Sequence, residues 1–414
     1  MAWAYLLRPG EMADYRRCRR SWDFGARIRQ NYVPAVPPAV FDFDKAIHDA
    51  LAVYYFPAMD DWDRAIVRPL ALKGFQRSMS EDRSRYPTEL TQEQSESYEE
   101  ALALGETILQ DYFQWAGPLD TFASIFADQE YWAPIPDLAH PGSDLATPAG
   151  LELRYLGRVD VLFSDHNDEF WIMKHRLVSG GWLPDEQMLL DLDTLVDIWA
   201  TEQTYPQLRM AGTVYNELRI GRGLGGAAAG LELSAEQALP DPDARTMQAA
   251  RHVHTRRSPM SPEPEEGDLV ETDFLEVMLM EEGTAAASPD PRADRVVRRE
   301  STESFRRSYV RRGRASVQAV GVKISSEAAE VVDRALPVYP NPSPANCGPC
   351  TFRAPCLALN EGADPAPILA AGYRLRTPEE GEENRLRWSI GRAQTRASTS
   401  GKDSRPDTVN FHWG

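Results

Sequence analysis

The sequence predicts an α/β fold with helices first and a sheet in the middle of the chain. Apolar residues recur at helical spacing over 1–30, Phe41–Tyr55 and Glu96–Trp115, and the last of these segments ends before Gly117-Pro118. The composition then shifts to short stretches rich in β-branched and aromatic residues, which are separated by Asp, Asn, Gly and Pro. Because helical and strand-like segments follow one another in one chain, we expect helices packed on a sheet.

Three strands are predicted at Ser124–Pro134, Glu152–Phe163 and Phe170–Val178. Helical periodicity returns at Met188–Thr204, and Gly212–Ile220 is typical of a further strand. The predicted order is therefore a helical region followed by β-β-β-α-β.

The remaining segments set the predicted domain boundaries. Residues 221–291 are dominated by Gly, Ala, Pro, Asp and Glu, which predicts a flexible insertion. Arg295–Leu336 again has a helical pattern, and residues 361–414 are polar, which predicts a disordered tail. We therefore expect one domain over residues 1–360 that is interrupted by the insertion.

The formal net charge of −18 argues against a nucleic-acid partner only on average. Acidic residues concentrate in Asp60–Glu106 and Pro262–Glu282, whereas Arg292–Arg314 holds nine arginines against three acids. This arginine-rich segment is either a phosphate-binding surface or, as most charge runs are, a solvated helical face.

Membrane insertion and secretion are not indicated by the sequence. The chain lacks a run of about 18 or more apolar residues, and its first residues lack a small-residue cleavage site. We therefore expect a cytoplasmic protein without a membrane partner.

The four cysteines are arranged as a metal site. Cys347, Cys350 and Cys356 lie in NCGPCTFRAPC, and Cys18 lies alone near the start of the chain. Thiolates in a Gly-Pro turn can converge on one ion, and the remote fourth cysteine favours an iron–sulphur cluster over zinc. Structural zinc and unrelated buried thiols remain the alternatives, whereas disulfides are disfavoured because no secretion signal is present.

This cysteine pattern resembles that of the iron–sulphur-containing RecB-type nucleases of the PD-(D/E)XK superfamily, which include CRISPR adaptation nucleases and AddB subunits. The resemblance covers about residues 10–360 without the insertion. It implies a restriction-endonuclease-like mixed central sheet flanked by helices. It also implies a 4Fe-4S cluster on Cys18, Cys347, Cys350 and Cys356 that joins the two ends of the domain. The implied activity is metal-dependent cleavage of DNA ends or single strands, with a helicase or recombination protein as partner.

The same resemblance assigns four site residues. His48 lies in the helix FDFDKAIHDALAVYYF, Glu130 in the first strand, Asp160 in the Gly-Arg-x-Asp motif of the second strand, and Lys174 in the third strand. The resemblance implies that the first three bind Mg²⁺ or Mn²⁺ and that Lys174 positions the attacking water. A carboxylate among apolar neighbours, as in VDVLF, is expensive to bury without such a cation. Taken alone, a helical histidine or a strand glutamate is more often structural.

Two motifs of that family are degraded. The acid expected two residues before the lysine is Ile172, or Met173 in the neighbouring register, and Glu169 has the wrong parity to replace it. Leu195 and Trp199 stand where the family has Gln and Tyr. The sequence thus leaves open a metal-dependent DNA exonuclease and a catalytically inactive DNA-binding or assembly subunit, with a zinc-stapled scaffold as a weaker third hypothesis.

Overall fold

A computed structural model describes residues 4–37, 39–220 and 294–377, and the predicted insertion at 221–291 lies outside them. Its centre is a seven-stranded mixed sheet with the order β1-β4-β5-β6-β8-β7, and β3 pairs with β4 beside this path. The strands are β1 (Ala4–Leu7), β3 (Ala123–Pro134), β4 (Glu152–Ser164), β5 (Phe170–Val178), β6 (Met210–Arg219), β7 (Arg295–Ser301) and β8 (Phe305–Arg311). A second, two-stranded sheet pairs β2 (Tyr32–Pro34) with β9 (Tyr373–Leu375). The predicted α/β class and mixed sheet are confirmed.

Helices cover both faces of the large sheet. The helices are α1 (Pro9–Arg17), α2 (Arg19–Gly25), α3 (Phe43–Tyr54), α4 (Arg64–Arg85), α5 (Gln92–Ala116), α6 (Asp185–Leu190), α7 (Leu192–Thr204), α8 (Arg314–Val332), α9 (Pro344–Cys347), α10 (Arg353–Asn360) and α11 (Ala366–Gly372). One apolar core joins α3, α4 and α5 to the sheet face that carries Val161 and Met173. The other joins α1, α2, α7 and α8 to the face that carries Val159 and Ile172.

Strands β4 and β5 pair over only part of their length and then separate, and we call the point of separation at Asp160 the fork. Antiparallel β3 follows one edge of β4 from residue 154 to residue 164. The other edge pairs with β1 over 152–155 and with β5 over 161–164 only. Residues 156–160 therefore have no strand partner on that edge within the described chain, and Asp160 lies where β5 separates from β4.

Two predicted helical segments are wrong in part. Residues 1–30 include β1 before the short helices α1 and α2, and Arg295–Leu336 begins with the hairpin β7–β8 before α8. In β8, arginine side chains are buried opposite acids of other elements. Such partners are distant in sequence, so the local pattern does not reveal that an arginine-rich segment is an inner strand.

The ordered chain extends beyond the predicted start of the tail at residue 361. Residues 366–372 form α11, and β9 pairs with β2 near the start of the chain. The Arg376 side chain donates to the carbonyl oxygen of Gly25 at 2.5 Å. The rest of the predicted tail, from 378 onward, lies outside the described residues.

Candidate functional site

His48 reaches the fork from α3. The Asp42 side chain accepts the backbone N–H of Lys45 and caps the start of this helix. Ile47 and Leu51 bury one side of α3 against the core, so the helix is fixed on the sheet. His48 then projects toward β4 and β5.

Asp160 is the buried centre of the site. Its Oδ2 accepts the backbone N–H of His175 at 2.8 Å and lies 3.5 Å from His48 Nε2. Burial would raise the pKa of this carboxyl, but the charges of Lys174 and His48 hold it well below its usual value. The side chain thus replaces a missing strand partner and remains an anion.

Both ring nitrogens of His48 face acceptors. Nδ1 lies 2.9 Å from the Asp44 carbonyl oxygen, and Nε2 lies 3.3 Å from the His175 carbonyl oxygen as well as near Asp160. Burial would lower the pKa of His48, but the Asp160 carboxylate and then Asp44 raise it to about 9. His48 is therefore an imidazolium with two donors, and such a ring has no lone pair for a metal.

Lys174 leaves the fork on the opposite face and meets an acid that the sequence analysis missed. Its Nζ lies 3.3 Å from Asp197 Oδ2, while Tyr131 donates to Asp197 Oδ1 at 2.7 Å. Asp197, followed by Asp160, raises the pKa of Lys174. Burial raises the pKa of Asp197, and the Lys174 charge opposes this. The available signal was an acid inside the apolar run LVDIW of α7, the same kind of signal that identified Asp160.

Gly157 of the Gly-Arg-x-Asp motif makes room for this contact. A Cβ on Gly157 would lie 2.2 Å from the Tyr131 hydroxyl oxygen. The tyrosine crosses the glycine to reach Asp197, so the glycine is required by a neighbouring side chain.

His175 faces the α3 side, opposite to Lys174. Its ring stacks on Tyr55, with centroids 5.7 Å apart, and its Nδ1 accepts from the Asn216 amide at 2.9 Å. Burial lowers the pKa of His175 to about 3, so this ring is neutral. Its buried Nε2 has no hydrogen-bond partner within the described residues.

The strand alternation predicted for the third motif is observed. Ile172 belongs to the same core as α7, on the Lys174 side, whereas Met173 belongs to the α3 core on the His175 side. Both are fully buried, so neither position brings a polar group to the fork. Leu195 and Trp199 are buried in the α7 core. Glu169 forms a two-bond ion pair with Arg311 at the far end of β5.

The predicted metal ligands do not form a three-ligand set. His48 and Asp160 meet, but Glu130 lies opposite Arg158 in the β3–β4 ladder and lines a separate cavity with Arg8. No group of three or more His, Cys, Asp or Glu side chains in the described parts of the chain is placed to hold a metal ion. Binding of Mg²⁺ or Mn²⁺ by His48, Glu130 and Asp160 stays a prediction.

The four cysteines lie where the two ends of the domain meet, and all are half-buried. The backbone N–H of Asn341 donates to Cys18 Sγ at 3.4 Å, and Cys350 Sγ donates to Ser21 Oγ at 3.7 Å. Cys356 Sγ accepts from Arg20 at 3.8 Å. The ends are thus joined by contacts of the polypeptide itself. Within the described chain no three of these thiols are grouped closely enough to hold a metal ion, so the iron–sulphur cluster stays a prediction.

The arginine-rich segment forms the hairpin β7–β8 and the start of α8, so neither alternative, a single helical face or a uniform phosphate-binding surface, describes all of it. Arg295, Arg298, Arg299 and Arg314 are exposed. From 294 onward, seven of its arginines pair with acids: Arg298 with Glu300, Arg299 with Asp185, Arg306 with Glu217, Arg307 with Asp120, Arg311 with Glu169, Arg312 with Asp294, and Arg314 with Glu202. Arg306, Arg307 and Arg312 are buried. These three side chains stabilise the sheet and are not placed to contact phosphates, because guanidinium groups inside the protein cannot reach a polyanion.

No protein-family model matches the chain, and a search of curated proteins gives no match. Among the described helices, none is long and apolar enough to cross a membrane.

Proposed function

We propose that this chain is a RecB-like PD-(D/E)XK protein that binds nucleic acid without cleaving it. The observation that carries the loss of cleavage is the position of Lys174. Its ammonium neutralises Asp197 directly and acts on Asp160, the carboxylate that the family motif would give to a metal.

Two cations already face the acids of the site. Lys174 lies beside Asp197, and His48 lies between Asp160 and Asp44, whose carboxylates are each 3.5 Å from one of its ring nitrogens. A divalent ion would have to displace the ammonium and deprotonate the imidazolium, so its binding would be weak. Without a bound cation the site lacks the group that activates water for attack on phosphorus.

The nucleic-acid partner is supported by the resemblance and by the sheet fork. The fork places the Gly-Arg-x-Asp motif of β4 against a helical histidine, as the RecB-like hypothesis expects. The proposed protein therefore has the fold and the nucleic-acid partner of these nucleases but does not cleave phosphodiester bonds.

The deciding experiment incubates labelled single- and double-stranded DNA with anaerobically purified protein and Mn²⁺, and measures both binding and cleavage. We expect binding without products for the wild type and for Asp160→Asn. Exposed Asp111 on α5 provides a control variant, Asp111→Asn, which should behave like the wild type. Products from the wild type that disappear in Asp160→Asn would contradict the proposal.

A second candidate, the metal-dependent exonuclease, is favoured by one observation. Asp197 brings a second carboxylate to the Lys174 side of the fork, where the strand lacks one. In this alternative Asp197 replaces the missing acid of the third motif. Wild-type cleavage that is lost in both Asp160→Asn and Asp197→Asn would establish it, while cleavage that survives Asp160→Asn would contradict both hypotheses.

We also propose that the four cysteines hold a 4Fe-4S cluster. Anaerobically purified protein should be brown and should contain iron, and Cys350→Ala should lose the colour and unfold more easily. Ser21→Ala, which removes only the contact of Cys350, is the matched control and should stay brown. A colourless protein with stoichiometric zinc would support the zinc alternative.

A further inference from the structure

An open cavity of about 520 Å³ lies at the unpaired edge of β4, beside the fork. Its walls are the start of α1, the end of α2 and residues 156–158 of β4. Arg158 in this wall is two residues from Asp160, and its charge acts on Lys174. The cavity therefore borders the charged site but is not part of it.

Four half-buried arginines from separate parts of the chain line this cavity: Arg8, Arg27, Arg158 and Arg376. Arg8 and Arg27 are close enough that the charge of Arg27, after burial, lowers the pKa of Arg8. Arg158 also pairs with Asp128 at 2.8 Å. Four guanidinium groups that converge on one cavity from different elements favour an anionic ligand.

One further feature fits an anion, and the acids that line the cavity oppose it in part. The first turn of the nine-residue helix α1 contributes Pro9 and Gly10 to the lining, so the positive end of the helix dipole borders the cavity. Three acids, Glu11, Asp14 and Glu130, also line it. Burial raises the pKa values of Glu11 and Asp14, which weakens their repulsion of an anion.

We propose, on the basis of the proposed function, that this cavity binds the phosphate monoester of a nucleotide. Guanidinium groups bind phosphate oxygens in pairs of parallel hydrogen bonds, and the volume lies in the range of small-ligand sites. The phosphate belongs either to the end of a strand or to a free nucleotide, and both sources present the same group.

The test compares three probes: oligothymidylate with a 5′ phosphate, the same strand with a 5′ hydroxyl, and thymidine 5′-monophosphate as competitor. Wild-type protein should bind the phosphorylated strand roughly tenfold more tightly than the hydroxyl strand. Arg27→Gln should remove most of this difference. Arg209→Gln, which changes an exposed arginine outside the cavity, should keep it.

Gly10→Glu separates blocking of the cavity from damage to the fold. An added Cβ at Gly10 meets no atom within 4 Å, and an acid in the first turn suits the helix dipole. This variant should fold and lose the preference for phosphate. If the affinity for oligothymidylate depends neither on the terminal phosphate nor on these substitutions, the cavity proposal is overturned and nucleic-acid binding still stands. Binding of the monophosphate alone would support the cavity with a free nucleotide and overturn the proposed function, and binding of no probe would overturn both.

Discussion

The fork and the Arg307 network are two buried polar regions that solve the same electrostatic problem differently. Arg307 is fully buried and donates to Asp120 at 2.8 Å and to the hydroxyls of Tyr55 and Tyr112. At the fork, by contrast, Lys174 is held by a single acid at 3.3 Å and its side chain is 30% exposed. The first region has one arrangement and dense hydrogen bonding, whereas the second has longer contacts and reaches solvent.

Asn216 connects the two regions. Its side-chain oxygen accepts from Arg307 at 3.3 Å, and its amide donates to neutral His175, which flanks Asp160. A buried charge is stable when hydrogen-bonding partners surround it. We therefore interpret the Arg307 network as a rigid support for the neighbouring strands. The fork carries the weaker pairing, because Lys174 has one acid partner at 3.3 Å and is partly exposed to solvent.

The largest expected effect is the loss of stability when Arg307 is replaced. Arg307→Met leaves Asp120 buried without its cation, and the free energy of unfolding should fall by about 3–5 kcal/mol. Arg311→Met breaks the half-exposed pair with Glu169 and should cost below about 1 kcal/mol. Urea unfolding at neutral pH measures both losses. Equal losses would mean that the buried Arg307 pair stabilises the protein no more than the partly exposed Arg311 pair.

At the fork, Lys174→Met should cost about 2–3 kcal/mol, because the ammonium is partly exposed. The variant also removes the cation that excludes a metal, so Mn²⁺ should raise its melting temperature. Lys323→Met should change little, because the Lys323 side chain is exposed and Glu327 keeps its pair with Arg16. A Mn²⁺ shift that is already present in the wild type would show that a metal binds beside Lys174 and would favour the nuclease alternative.

The sequence predicted the fold better than the site, and particular residues show why. The strands around Asp160 followed from local composition, and Phe170–Val178 has the predicted boundaries. Asp197 was missed although it lies in an apolar run as Asp160 does, and its pairing with Lys174, 23 residues away on another element, has no local pattern. The arginines of β8 were misread for the same reason, since Glu217 and Asp120 bury them only after the chain has folded.

A smaller effect is expected where the Tyr131 hydroxyl crosses Gly157. Gly157→Ala places a methyl group 2.2 Å from that oxygen, so the tyrosine must move away from Asp197. Overpacking of this kind costs about 1–3 kcal/mol. Gly180→Ala adds a methyl group in open space and is the control. An unchanged melting temperature in Gly157→Ala would show that the contact of Tyr131 with Asp197 does not depend on the space above Gly157.

The smallest effect is the pH dependence of the pair between His48 and Asp160. The pKa of His48 rises from an ordinary value of 6.5 to about 9 in the folded chain, so the folded state binds the proton more tightly than the unfolded state. The resulting stability is fully present below about pH 6.5 and is lost as the pH rises through about 9. We expect the pair between His48 and Asp160 to contribute on the order of 1–2 kcal/mol to the free energy of unfolding after screening by water.

His48→Gln should remove this pH dependence, whereas His140→Gln, at an exposed histidine paired with Asp137, should retain it. Unfolding free energies measured between pH 6 and 10 check the prediction. A wild type whose stability does not fall relative to His48→Gln in that range would mean that His48 is neutral, and the fork would then lack the second cation that opposes a metal ion in the proposed function.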